Sequence, residues 1–147
     1  MVRRELLTVM GAGAAGLMMT GSARADDQDE KKKEHHAHMK TMGECAMICD
    51  MTSAHCLMEL GKDATENRDL HAKVAAITND CQTFCVQAVT LMARHSLLAM
   101  HAHKACADAC RDCAAACDKG QGEMMKKCAE ICRECERACR ACCSATA

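Results

Sequence analysis

The sequence predicts an all-α fold, an up-down-up-down four-helix bundle whose core is lined by cysteine. Three observations carry this. Near the C-terminus Cys128, Cys132, Cys135, Cys139 and Cys142 recur at steps of four, three, four and three. At 100° per residue, that spacing confines them to an arc of about 80° on one helix face. Cys106, Cys110, Cys113 and Cys117 repeat the pattern, and Cys45, Cys49 and Cys56, like Cys81 and Cys85, fall in compatible phase. No stretch shows the period-2 alternation and β-branched enrichment of a strand.

Residues 1–25 read as a targeting segment. Arg3 and Arg4 precede a modest apolar stretch, Leu6 to Met19, rich in Gly and Ala and too short to span a bilayer. Ala23-Arg24-Ala25 fits a small-x-small cleavage site and leaves Asp26 as the first mature residue. An ordinary secretory signal has the same general form. Paired arginines before a weakly hydrophobic core favour the twin-arginine route, which exports folded proteins. The expectation is an exported, periplasmic protein with no membrane span in its mature chain.

Residues 26–38 are charged and His-bearing and read as a solvated linker or frayed helix start, with His35 and His36 exposed. The bundle occupies 39–147. Its first helix is expected from Met39 to Leu60, stopping at Gly61. Lys62 to Asn67 is a polar connection in which Asp63 with Glu66, or Asn67 alone, caps the next helix. Arg68 to Lys119 is continuously periodic, without Gly or Pro. Fifty residues is long for a globular helix, so a break is placed near His95-Ser96, although the 21 residues from Cys85 to Cys106 keep heptad phase. Gly120-Gln121-Gly122 is a turn, and the last helix runs from Glu123 to about Cys143. Segments of about 20 to 25 residues are about 30 to 37 Å long, and short connections make sequential helices antiparallel neighbours.

Composition narrows the chemistry. The 147 residues include 15 Cys, 13 Met and 8 His, a single aromatic (Phe84) and no Pro, with a net charge of −1. No basic stripe is interleaved with aromatics, so nothing points to a nucleic-acid partner. Beyond residue 25 there are only 13 Leu, Ile, Val and Phe. Hydrocarbon alone is a thin core, and bound metal or disulfides are the candidates for the remaining stabilisation.

Free cysteine can serve as a small buried hydrophobe, but 15 of them in an exported chain would be a reactive liability. A disulfide scaffold suits export, yet i, i+4 side chains stack along one face in poor geometry for a bridge, and the count is odd; bridges between helices stay open. Zinc would use pairs such as Cys110/Cys113, Cys132/Cys135 and Cys139/Cys142, but these sit mid-helix without a turn knuckle. The ferredoxin run is absent, and no single privileged pair marks a thioredoxin-like enzyme. Cu(I) fits best. It is soft, prefers thiolate and thioether, and accepts the low coordination that i, i+4 thiolates supply. Bridging thiolates would bring capacity towards one copper per cysteine, each ion replacing a proton.

Extending the stripes leads to softer, neutral ligands. Backward steps from Cys45 give Met42 and His38; seven beyond Cys85 is Met92, with His95 next; three before Cys106 is His103, with Met100 nearby. Up-down topology gathers these ends beside Cys142 and Cys143, forming a mouth where thioether and imidazole would admit copper. Met124, one step before Cys128, could serve the opposite end, though core packing suits it better. Met47, Met51 and Met58 fall off the cysteine stripe and are expected between helices or subunits.

The twin-arginine start, the cysteine-lined helices and the segment Cys128-Ala-Glu-Ile-Cys-Arg-Glu-Cys-Glu-Arg-Ala-Cys139 resemble the copper storage proteins, a Cys-rich four-helix bundle family, over essentially the whole mature chain. The resemblance implies a bundle that fills with many Cu(I) ions, held mainly by the C-x3-C pairs Cys45/Cys49, Cys81/Cys85, Cys106/Cys110, Cys113/Cys117, Cys128/Cys132 and Cys135/Cys139. It also implies Met and His at the mouth and a homo-oligomer. Cys142 and Cys143, which complete the set of fifteen candidate copper ligands, depart from the family's less cysteine-rich C-terminus. The expectation is a non-enzymatic store releasing Cu(I) to copper-requiring enzymes or chaperones, and folded even without metal. A disulfide-crosslinked structural protein and a thiol-disulfide oxidoreductase are the alternatives.

Overall fold

The computed structural model of the chain describes residues 20–64 and 66–144, with side chains from residue 26 onward. The described residues form four helices: α1 (Thr20–Leu60), α2 (Arg68–Ala93), α3 (Ala99–Cys117) and α4 (Glu123–Ser144). The export signal read at 1–25 lies outside the described residues except for 20–25, which open α1. No described helix is long and apolar enough to cross a membrane.

The chain divides after Glu34 into two units. In the first, the stretch read as a linker is helical and exposed. Its polar residues satisfy one another along the helix, Lys31 to Asp27 at 2.9 Å and Lys33 to Glu30 at 2.8 Å. Such i, i+3 and i, i+4 pairs support a solvated helix by a few tenths of a kcal/mol each, roughly. The second unit, from His35, holds the bundle.

Each turn has a local cause. α1 stops where expected, the Gly61 N–H bonding back to the Leu57 carbonyl at 3.2 Å. Asn67 starts α2, though not by a side-chain cap: it sits at φ 57°, and its carbonyl accepts the Leu70 and His71 N–H groups. The expected caps therefore give way to a left-handed backbone, which Asn tolerates better than most residues. The break between α2 and α3 falls at 94–98. His95 takes φ 50°, its N–H bonds to the Met92 carbonyl, and Ser96 N–H reaches the Leu91 carbonyl at 3.0 Å. This is a Schellman closure with His in the place usually given to Gly. α3 ends two residues before Lys119, and Gly120 N–H closes on the Cys117 carbonyl at 3.0 Å.

Successive helices run antiparallel. Cys81 and Cys85 of α2 meet Cys110 and Cys106 of α3, and Cys106 in turn meets Cys135 of α4. Cys45 and Cys49 of α1 close the ring against Cys132 and Cys128. Thirteen of the 15 cysteines are buried, so thiols occupy the positions where Leu and Ile hold ordinary bundles together. Small residues fill the gaps between them, including Ala88, Ala107 and Ala129. The buried hydroxyls of Thr52 and Thr78 donate to the Ile48 and Val74 carbonyls one turn back, and Ser53 donates from α1 to the Ala75 carbonyl of α2. None of these three hydroxyls is stranded in the sulfur core.

Outside, α1 presents Met47, Met51 and Met58, which are 60%, 48% and 65% exposed. They are not wedged between helices of this chain. Their phase sets them opposite the cysteine stripe, which has already claimed the inner face.

Candidate metal centre

The inward cysteines form a continuous array along the bundle axis. Four sets of four sulfurs each lie within 4.8 Å of one another: Cys85, Cys106, Cys110 and Cys135; Cys45, Cys81, Cys85 and Cys110; Cys45, Cys49, Cys81 and Cys132; and Cys49, Cys113, Cys128 and Cys132. Each set shares two members with the next. Ten cysteines are thus linked without interruption, and a soft ion leaving one set finds the next already at hand.

Within a helix, Cys106–Cys110 and Cys128–Cys132 are separated by 4.0 and 3.9 Å. Between helices the approach is closer still: Cys49–Cys132, Cys81–Cys110 and Cys85–Cys106 are each 3.6 Å apart. Four of the six expected C-x3-C pairs, Cys45/Cys49, Cys81/Cys85, Cys106/Cys110 and Cys128/Cys132, thus have their sulfurs within 4.8 Å, as strands of a net rather than isolated clamps. A metal–thiolate bond of about 2.3 Å, the zinc value, puts two sulfurs about 4.6 Å apart across a linear ion and about 4.0 Å apart across a trigonal one. The observed spacings need only rotamer adjustments of a few tenths of an ångström to meet the trigonal geometry. They are also far beyond a disulfide's length of about 2 Å, and the 13 buried cysteines are unbridged.

Protons are shared unevenly across this net. Cys110 and Cys113 are pushed up, the first chiefly by Cys106 and the second chiefly by Cys117, with other thiols adding to both. Hydrogen bonds from Cys110 and Cys113 pull Cys81 and Cys128 down. Burial opposes ionisation at all four. A water-poor interior cannot hold many bare thiolates. A monovalent cation that replaces each proton keeps the array near neutral, which is the electrostatic condition for filling it.

Beyond the ten, Cys56, Cys117 and Cys139 are fully buried and continue the array towards its two ends. Cys142 and Cys143 are only half-buried. The structure brings Cys142 to the mouth, its sulfur 3.2 Å from His38 Nδ1, while the Cys143 sulfur lies 3.9 Å from the Met100 carbonyl. The other sequence-predicted mouth residues also face inward. Met42 is fully buried, and Met92 is 8% and His103 4% exposed. The His103 Nδ1 is buried without a hydrogen-bond partner. At the rim His35 stacks on His95 with ring centroids 5.1 Å apart.

The opposite end holds residues that the sequence did not single out. There His55, His71 and Met125 line a cavity of about 530 Å³. Met125 is 3% exposed, whereas Met124 is only partly buried. The usable signal was spacing: Met125 precedes Cys128 by three, as regular a step as the four taken to Met124.

The family model for copper storage proteins matches residues 31–144. No curated protein matches the chain significantly. Among solved structures, the Cu(I)-bound copper storage protein BsCsp3 superposes with a TM-score of 0.65 at 22% identity, covering 74% of this chain and 96% of that one. At that identity the likeness establishes the shared bundle fold.

Proposed function

This chain belongs to the copper storage protein family, and from that premise we propose that it holds many Cu(I) ions on the thiolates of its core and releases them to copper-requiring enzymes or chaperones. The observation that carries this is the chain of four overlapping four-sulfur sets. A structural zinc site is closed by four ligands and stops there. A net in which sulfurs belong to more than one potential site suits an ion of low coordination number that thiolates can bridge.

The proposed store comprises Cys45, Cys49, Cys56, Cys81, Cys85, Cys106, Cys110, Cys113, Cys117, Cys128, Cys132, Cys135 and Cys139, all buried. Cys142, His38, Met42, Met92 and His103 form its mouth, and Cys143 lies on the periphery. Neutral imidazole and thioether ligands at the mouth hold copper less tightly than thiolates do and so pass it inward by ligand exchange. The role is non-enzymatic: no substrate is turned over.

Export by the twin-arginine route fits the same chemistry, because a folded bundle shields its thiols before it meets an oxidising compartment. Self-association is supported by the exposed methionine stripe on α1, an apolar surface suited to burial against another copy.

Anaerobic titration of the reduced, mature chain with Cu(I) against a competing chelator tests the proposal. We expect a plateau of roughly ten or more ions per chain. A plateau at one or two ions, or a folded apo protein in which few thiols react with a thiol reagent, would reject storage.

A further inference from the structure

We propose that the end of the bundle remote from the mouth carries a second Cu(I) site, made by the imidazoles of His55 and His71 with the thioether of Met125, and that copper exchanges with the core there by a separate route. The inference rests on the storage reading and extends it. A store with one opening fills and empties through the same ligands; this bundle has ligands of the same neutral, soft kind at both ends.

Three features converge on the site. The first is the cavity itself, about 530 Å³, bounded by α1, the turn before α2, and the turn between α3 and α4. The cavity is partly open to solvent between these turns, so an ion reaches its lining from outside. The second is the histidine pair. The two rings lie edge to face with centroids 6.4 Å apart, and His71 Nδ1 is buried with no hydrogen-bond partner. An unsatisfied buried nitrogen is costly unless something is meant to meet it.

The third feature is the seat of Met125. Gly120 has no Cβ, and one built there would overlap the Met125 sulfur. The glycine of the α3–α4 turn thereby leaves room for the thioether between loop and core. Met125 lies one helical step before Cys128, and His55 directly precedes Cys56; both thiols are fully buried. Imidazole and thioether thus stand where the thiol array ends.

The ligand types select the ion. Thioether favours Cu(I) over zinc or Cu(II), and imidazole accepts it. Two carboxylates also line the cavity, Glu59 and Glu66, and that of Glu59 is engaged by Lys62 at 2.6 Å. Titration with Zn(II) distinguishes a carboxylate-assisted divalent site from one selected by the thioether. The Glu59 carboxylate lies within electrostatic reach of both imidazoles, so the site has a negative neighbour to attract a cation.

Two measurements on the full mature chain decide the matter. In the first, Met-methyl and His-ring NMR signals of the intact protein are followed during anaerobic titration with Cu(I) and, separately, with Zn(II). The Met125 methyl and the His55 and His71 ring signals should shift with Cu(I). Silence of these signals through saturation, or a response to Zn(II) alone, overturns the proposal.

In the second, a chelator withdraws copper from the loaded protein. A chain with the mouth replaced (H38A, M42L, M92L, H103A and C142A) should still release copper. Adding H55A, H71A and M125L should slow that release roughly tenfold or more, the scale on which perturbing a metal site's ligands is felt. Equal release rates for the two chains would overturn a second route. Neither result depends on total capacity, so a wild-type plateau at one or two ions remains a separate failure, that of storage itself.

Discussion

Cys110 sits at a crossing of the array, where three helices bring their thiols together. Its sulfur lies within 4.0 Å of Cys45, Cys81, Cys85 and Cys106. Cys110→Ala should cost the apo fold only about 1 kcal/mol, the scale of deleting one buried heavy atom, yet remove at least two copper ions from the plateau of a Cu(I) titration. Cys143→Ala, at the periphery, should leave that plateau unchanged. Cys56 offers a pH test. Burial first, then the neighbouring Cys128 and Glu59, push its thiol from 9.0 to about 11. Between those values the unfolded chain has lost the proton that the folded chain retains, so unfolding is favoured as pH rises. The stability this thiol contributes is complete below pH 9 and lost as pH climbs through about 11. Thermal melts of the apo protein across that interval should show a falling midpoint, and Cys56→Ala should flatten the slope.

The helices and their turns were legible wherever the backbone announces itself through residue type. Gly61 and the Gly120-Gln121-Gly122 turn ended helices as glycine does, and the cysteine period gave each helix an inner face. The α2–α3 turn was placed near His95-Ser96 only because the segment was too long; its mechanism, a histidine at φ 50°, has no marker in the sequence. The start of α1 was obscured for a different reason. Residues 26–34 carry no apolar stripe, so periodicity is silent about a helix held by its own ion pairs. At the site, ligand identity was legible and contact was not: spacing put Cys106 and Cys110 on one face but could not show that Cys85 lies nearer to Cys106 than Cys110 does. The left-handed turn gives its own prediction. His95→Gly should relieve about 1 kcal/mol of backbone strain, raising the apo melting midpoint by roughly 4 °C with copper capacity unaltered. A lowered midpoint would show that the stack of His95 on His35 outweighs the strain.

Over the molecule as a whole, the thirteen buried thiols have two jobs in the proposed store: without metal they pack as small apolar side chains, and with metal they would be the ligands. The bundle is therefore expected to fold before it fills, giving a helical circular dichroism spectrum in the apo form and a melting midpoint that rises with each increment of Cu(I), since an ion that binds only the folded chain stabilises it by mass action. A random-coil apo spectrum would contradict this. The central claim is that copper occupies the interior, bridged by sulfurs from different helices, and anomalous diffraction at the copper edge from crystals of the loaded protein addresses it most directly. A row of copper peaks is expected along the bundle axis between Cys139 near the mouth and Cys56 at the far end, with peaks beside Cys110 and Cys132. Copper confined to exposed histidines and methionines, with the axis bare, would contradict it.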